Sequence, residues 1–169
     1  MNTQLNWSAD DAWRWYDARP WLCGFNFVPS TAVNSTELWQ RDTFDPLTIA
    51  RELGWAAQIG FRTCRVFLQY LVWEDDPGPL LARVDEFLGI ASRYNLSTKL
   101  CLFDDCTFAG EQPYLGKQAD PVPGVHNSGW TPCPGHQRVV DQRAWPMLEK
   151  YITSVVSRFA NDPRVLAWD

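Results

Sequence analysis

Several residues able to do chemistry stand at or just after the ends of apolar runs in this 169-residue chain. They are Asn26, Gln69, Tyr70, Trp73, Asp104, Asp105 and Asp169. The segment between Thr107 and Val140 adds His126, Asn127, Trp130 and His136. Amides and carboxylates hydrogen-bond hydroxyl groups in the plane of a ring, and indole faces stack on its apolar side. The set therefore suits a polyhydroxylated ligand. Trp39, Trp73 and Trp130 lie in the connections after the first three apolar runs and are the candidate stacking platforms. The chain holds ten tryptophans, an excess that points the same way, although core and helix–sheet packing claims most of them.

Asp104 and Asp105 suggest a pair of carboxylates at first sight. Adjacent strand residues point to opposite faces, so the two do not converge on one bond. One is expected to bind ligand hydroxyls while the other caps or pairs structurally. Cys106, His126, Cys133 and His136 match no standard zinc spacing, and Pro134-Gly135 between them is turn chemistry. No metal and no cofactor is expected. His126, near Trp130, is placed on the ligand cleft.

The elements that must position these groups alternate. Strand runs are read at 21–28, 63–70, 98–103 and 165–169, each strongly apolar. Between the first two, Asp45-Pro46 starts a helix: the carboxylate accepts from free N–H groups and proline suits the first helical position. Ile49, Leu53, Ala56 and Ala57 recur at helical spacing, and Gly60 ends the run. After a loop at 75–79, Leu80, Val84, Phe87, Leu88 and Ala91 form one stripe. A long loop, 107–140, exceeds the usual length and is expected to be functional. A last helix over 141–159 carries Leu148, Tyr151, Ile152, Val155 and Phe159 inward, with Pro146 in its first turn. The order β-α-β-α-β-α-β implies a parallel sheet with right-handed crossovers. It fits a doubly wound sheet or the first half of a (β/α)8 barrel. The absence of a phosphate-binding glycine motif after the first strand disfavours a nucleotide-binding sheet.

Composition bounds the partners. Net charge is −5 with 46% hydrophobic residues, and no long basic run occurs, so neither nucleic acid nor an anionic membrane is expected as a partner. Residues 1–19 show no apolar signal region, and no apolar run approaches the roughly 20 residues needed to span a bilayer; a cytoplasmic location is the expectation. Cys23, Cys64, Cys101, Cys106 and Cys133 form no CxxC and are expected to be reduced thiols, the first three buried in apolar runs.

Three segments add a family resemblance. Gly24-Phe25-Asn26 resembles the G-x-N start of clan-A glycoside hydrolase barrels. Arg65, in Thr63-Cys64-Arg65-Val66, matches the strand-two arginine of that clan. Val165-Leu166-Ala167-Trp168-Asp169 resembles the strand-four lead-in to its Asn-Glu-Pro motif. In this order and spacing, the chain resembles the N-terminal half of a cellulase-like glycoside hydrolase of the family 5 type. The resemblance implies a (β/α)8 TIM barrel of which residues 1–169 supply one partial domain, the first (β/α)4 half. A missing C-terminal half-barrel would be its partner and a carbohydrate its substrate. It implies a retaining mechanism on a β-linked glycan or glycoside, with two carboxylates about 5 Å apart. The clan's acid/base glutamate follows strand four and its nucleophile lies at strand seven, both beyond Asp169, so the isolated chain is expected to be inactive and to expose sheet edges. Arg65 would support catalysis by holding the nucleophile ionised; otherwise it pairs with another strand-end acid. Asn26, Trp39, Trp73, Asp104, Asp105, His126 and Trp130 would bind substrate. The alternative is a complete, doubly wound carbohydrate-binding module without catalysis.

Overall fold

The computed structural model describes residues 7–106, 108 and 112–169. Its elements run α1 (Ala9–Asp17), β1 (Gly24–Phe27), α2 (Ser35–Trp39), α3 (Pro46–Gln58), β2 (Thr63–Phe67), α4 (Tyr70–Asp75), α5 (Pro77–Arg93), β3 (Ser97–Cys101), α6 (His136–Val140), α7 (Trp145–Phe159) and β4 (Val165–Trp168). The four strands form one parallel sheet in the order β1-β2-β3-β4. Every step goes to the same side. Right-handed crossovers that always step one way lay their helices on one face of the sheet. A doubly wound sheet instead reverses direction to cover both faces, so that alternative does not describe this chain.

Burial follows from that one-sided layering. Cys64, Val66 and Leu100 point into a core shared with Ile49 and Leu53 of α3, Val84, Phe87 and Leu88 of α5, and Tyr151, Val155 and Phe159 of α7. Neighbouring positions on the opposite face, Asn26, Arg65 and Lys99, remain partly or fully exposed. At the centre Phe87 is fully buried, its ring 5.8 Å from Phe27 and 5.7 Å from Trp39.

Local chemistry sets the boundaries. Asp45 caps α3 by accepting from the N–H groups of Leu47 and Thr48 at 3.1 and 3.0 Å. Gly60 follows with a φ of 103°, a conformation that glycine adopts without a Cβ penalty. β1 is shorter than the apolar run around it: pairing begins at Gly24 opposite Thr63, leaving Trp21 and Cys23 exposed. A Cβ at Gly24 would stand 2.8 Å from the Thr63 carbonyl oxygen, so only glycine fits there. β2 likewise stops at Phe67. Gln69 turns its side-chain oxygen onto the Leu71 N–H and opens α4, which replaces the expected strand end, and α5 begins at Pro77, inside the expected 75–79 loop. The last helix starts at Trp145 rather than residue 141, because Asp141 takes the Arg143 N–H at 3.0 Å in a turn.

Three further helices lie outside the expected pattern: α1, α2, and α6, which falls at the end of the expected 107–140 loop. In α2, Asn34 accepts the Glu37 N–H at 3.0 Å while Glu37 reaches back to the Val33 N–H at 2.8 Å. In α1, Ser8 and Asp11 form a capping box, and no residue of the helix is buried. Among the described residues, no helix is long and apolar enough to cross a membrane. Truncating the central ring tests the packing: Phe87→Ala is expected to cost roughly 3–5 kcal/mol, read as a lower urea midpoint with an unchanged slope.

Candidate functional site

The floor of the site is the sheet face without helices. Asn26, Arg65 and Lys99 are neighbours in register across β1, β2 and β3. β4 joins the row through a bulge: Thr98 pairs with Val165 but Lys99 with Ala167, leaving Leu166 as the extra residue. A bulge shifts the alternation by one. Trp168, opposite Leu100, therefore packs against the core, and Asp169 turns to the charged row. Its backbone continues the ladder, with the Asp169 N–H donating to Leu100 O at 2.9 Å and Leu102 N donating to Asp169 O at 2.8 Å.

Asp169 Oδ2 accepts from Arg65 Nε at 2.6 Å and from Lys99 Nζ at 3.0 Å. The Lys99 ammonium, and after it the Arg65 guanidinium, hold the carboxyl below the usual aspartate range. Arg65 also donates to Cys101 Sγ at 3.4 Å and lies over the Phe67 ring at 4.3 Å. Its position is thus fixed from three sides.

Above this floor, a cleft of about 700 Å³ is lined by Asn26, Arg65, Phe67, Asp104, His126 and Trp130, with the loop 28–33 and Phe108 at its sides. The long loop is stitched down where it reaches the sheet. Asp104 and Cys133 exchange backbone hydrogen bonds at 2.9 and 2.7 Å, Gly129 O accepts from Asn34 Nδ2 at 2.9 Å, and the buried Cys133 sulfur accepts the Tyr70 N–H at 3.1 Å. Burial pushes the Cys133 thiol up to about 12. At neutral pH it is a protonated packing group rather than a metal-binding thiolate. All five cysteines are free. Asp104 is engaged at both oxygens: Oδ2 accepts Trp130 Nε1–H and Oδ1 the Cys106 N–H, each at 3.1 Å.

The structure therefore brings together Asn26, Arg65, Asp104, His126 and Trp130, and leaves three of the expected ligand contacts elsewhere. Trp39 is fully buried, its Nε1–H donating to Phe67 O at 2.7 Å, so it offers no stacking face. Trp73 is buried against Tyr70 and Tyr151 on α4, which turns its ring into the core. Asp105 points away to His136 Nδ1 at 3.2 Å, as its alternation with Asp104 requires. Trp130 lines the cleft but is only 7% exposed, with its ring edge-on to Phe67 at 5.1 Å. It orients Asp104 more than it presents a platform. Lys99 was missing from the expected set, although it stands at the same phase of its strand as Arg65; two cations at matching positions in apolar strands call for a shared anion.

Comparison with solved structures places this geometry. A variant of the GH5_18 glycoside hydrolase from Streptomyces cattleya, in complex with Manβ1-4GlcNAc, superposes with a TM-score of 0.52 at 16% identity over 80% of this chain and 31% of that one. A GH5_18 variant from Bifidobacterium longum subsp. longum, with the same disaccharide, gives 0.54 at 13% identity over 86% and 32%. The Streptomyces cattleya GH5_18 in complex with GlcNAc gives 0.51 at 15% identity over 87% and 33%. The chain has a GH5-like fold. It spans about a third of the length of these structures. No protein-family model and no curated protein matches it by sequence.

In a GH5-like barrel the carboxyl ends of the strands form the ligand face, and the cleft runs from the mid-strand charged row to that edge of this sheet, where Asp104 stands. The carboxylate clamp makes a pH prediction. A depressed aspartate stabilises the fold above its unfolded value near 3.9, and that contribution disappears as pH falls through the lower folded value. The Asp169 carboxyl resonance is therefore expected to titrate below an ordinary aspartate. In a Lys99→Ala, Arg65→Gln double variant it should return to the ordinary range; an unchanged midpoint there would refute the clamp.

Proposed function

We propose that the chain is the first half of a glycoside hydrolase barrel and that its strand-end cleft holds part of a β-linked glycan or glycoside. The observation supporting this most is the convergence of Asn26, Arg65, Asp104, His126 and Trp130, from three strand ends and one loop, on a single cleft. Asn26 offers an amide donor and acceptor at the rim. Asp104, held by Trp130, accepts from sugar hydroxyls through its remaining lone pairs. Phe108 and His126, edge to face at 5.5 Å, form the outer wall. The GH5_18 structures carrying Manβ1-4GlcNAc favour a β1-4-linked disaccharide as the probe.

Retaining hydrolysis needs one carboxylate as nucleophile and one as acid/base, about 5 Å apart. Asp104 has both oxygens engaged, and Asp169 is held ionised between two cations. Neither is poised to donate a proton, so these residues support binding without cleavage. The two catalytic glutamates would come from the remainder of the barrel, where Arg65 would stand beside the nucleophile and keep it ionised. A half-barrel also accounts for a bare, charged sheet face: the other half would enclose it.

Calorimetric titration of the 169-residue protein with Manβ1-4GlcNAc tests the cleft. Asp104→Ala is expected to weaken binding about tenfold, the loss of one charge-assisted hydrogen bond. Trp39→Phe is expected to leave affinity unchanged while lowering stability by about 1 kcal/mol through the lost bond to Phe67. Equal affinity in Asp104→Ala would remove its contact role. The same protein is expected to release no aglycone from an aryl β-glycoside; turnover would contradict the division of labour between the halves.

A further inference from the structure

Asn127, in the long loop, lines the strand-end cleft beside His126 and holds a φ of 48°. This left-handed backbone is open mainly to glycine, with asparagine and aspartate the commonest exceptions. The turn around it is closed locally. Asn127 O accepts the Trp130 N–H at 2.9 Å, and Ser128 Oγ accepts the Val122 N–H at 2.7 Å. Among the described residues, the backbone of Asn127 is bonded and its carboxamide is not.

Other polar groups of the cleft are already engaged by the protein. Asp104 accepts at both oxygens. Arg65 gives Nε to Asp169 and Nη2 to Cys101 Sγ. The Ser30 hydroxyl is bonded to Glu52 of α3. Uncommitted hydrogen-bonding capacity at the cleft therefore lies mainly with Asn26, His126 and Asn127, all three exposed. Glycine would serve the turn at 127 alone. Aspartate would add a second carboxylate to the lining that holds Asp104. Asparagine combines the turn with a neutral donor and acceptor side by side.

We propose that Asn127 is a ligand contact of the strand-end cleft, its carboxamide taking a vicinal pair of sugar hydroxyls by donating to one and accepting from the other. This rests on the glycan reading of the cleft and gives the long loop a direct part in recognition. Its left-handed backbone makes the contact preformed, because the bond from Trp130 fixes the turn before any ligand arrives.

Calorimetric titration with the disaccharide Manβ1-4GlcNAc compares the parent protein with Asn127→Gly, which keeps the left-handed turn and removes the carboxamide. Affinity is expected to fall about fivefold or more, with the Trp130 indole N–H signal of the ligand-free protein unchanged. In the parent, the Asn127 side-chain amide signals are expected to shift and saturate with the disaccharide. Equal affinity in Asn127→Gly overturns the contact, while the parent's own binding keeps the glycan reading standing. No saturable binding by the parent overturns both. Should Asn127→Gly displace the Trp130 signal, the side-chain amide of the unaltered protein decides: a saturable shift supports the contact and an unmoved signal refutes it.

Discussion

Each crossover in this chain steps to the same neighbouring side, and the chirality of the βαβ unit then allows one outcome for the layers. The helices collect on one face and take the apolar residues with them. Phe27, Cys64, Val66 and Leu100 join that core, and the alternation of the strands sends Asn26, Arg65 and Lys99 to the other face. A row of polar side chains in mid-sheet is thus a consequence of topology. The sheet keeps it by supplying one anion for two cations. The bulge at Leu166 does this: without the extra residue, Trp168 would face the charges and Asp169 the core.

The loop between β3 and α7 turns this floor into a cleft. Its attachment is mainly backbone and buried polar contacts: Asp104 against Cys133, Asn34 against Gly129 and Gln118, Gln69 against Pro132 O at 3.3 Å. Such bonds, out of water, hold a segment with little regular structure as firmly as a helix would. Asp104 belongs to both systems, pairing the loop through its backbone and lining the cleft with its side chain. The cleft depends on this docked loop for a wall.

Much of the fold was legible because it rests on patterns of matching period. The Asp45-Pro46 start of α3 and the stripe from Leu80 to Ala91 read directly as a capped helix and a helix face, and both occur. Segments whose signals conflict were less legible. Gln69 and Tyr70 continue an apolar run, yet a side-chain cap converts them to helix. In α2, the Asn34-x-x-Glu37 spacing was a readable capping signal without an apolar stripe long enough to announce a helix. Depth was the least legible property. Trp39, Trp73 and Trp130 look alike in sequence, but only Trp130 meets the cleft, because its loop returns to the sheet while the other two lie on helices turned inward. Arg65 could be placed on the polar face from alternation; its partner could not, since the bulge that brings Asp169 to it leaves no mark in composition.

The binding face is tested most directly by the indole and side-chain amide signals of the protein during titration with a β1-4-linked disaccharide. The Trp130 indole N–H and the Asn26 side-chain amide are expected to shift together and saturate, while the Trp39 and Trp73 indoles stay fixed. Saturable movement confined to the exposed Trp13 and Trp21, or no saturable movement at all, would contradict a glycan site on this face of the sheet.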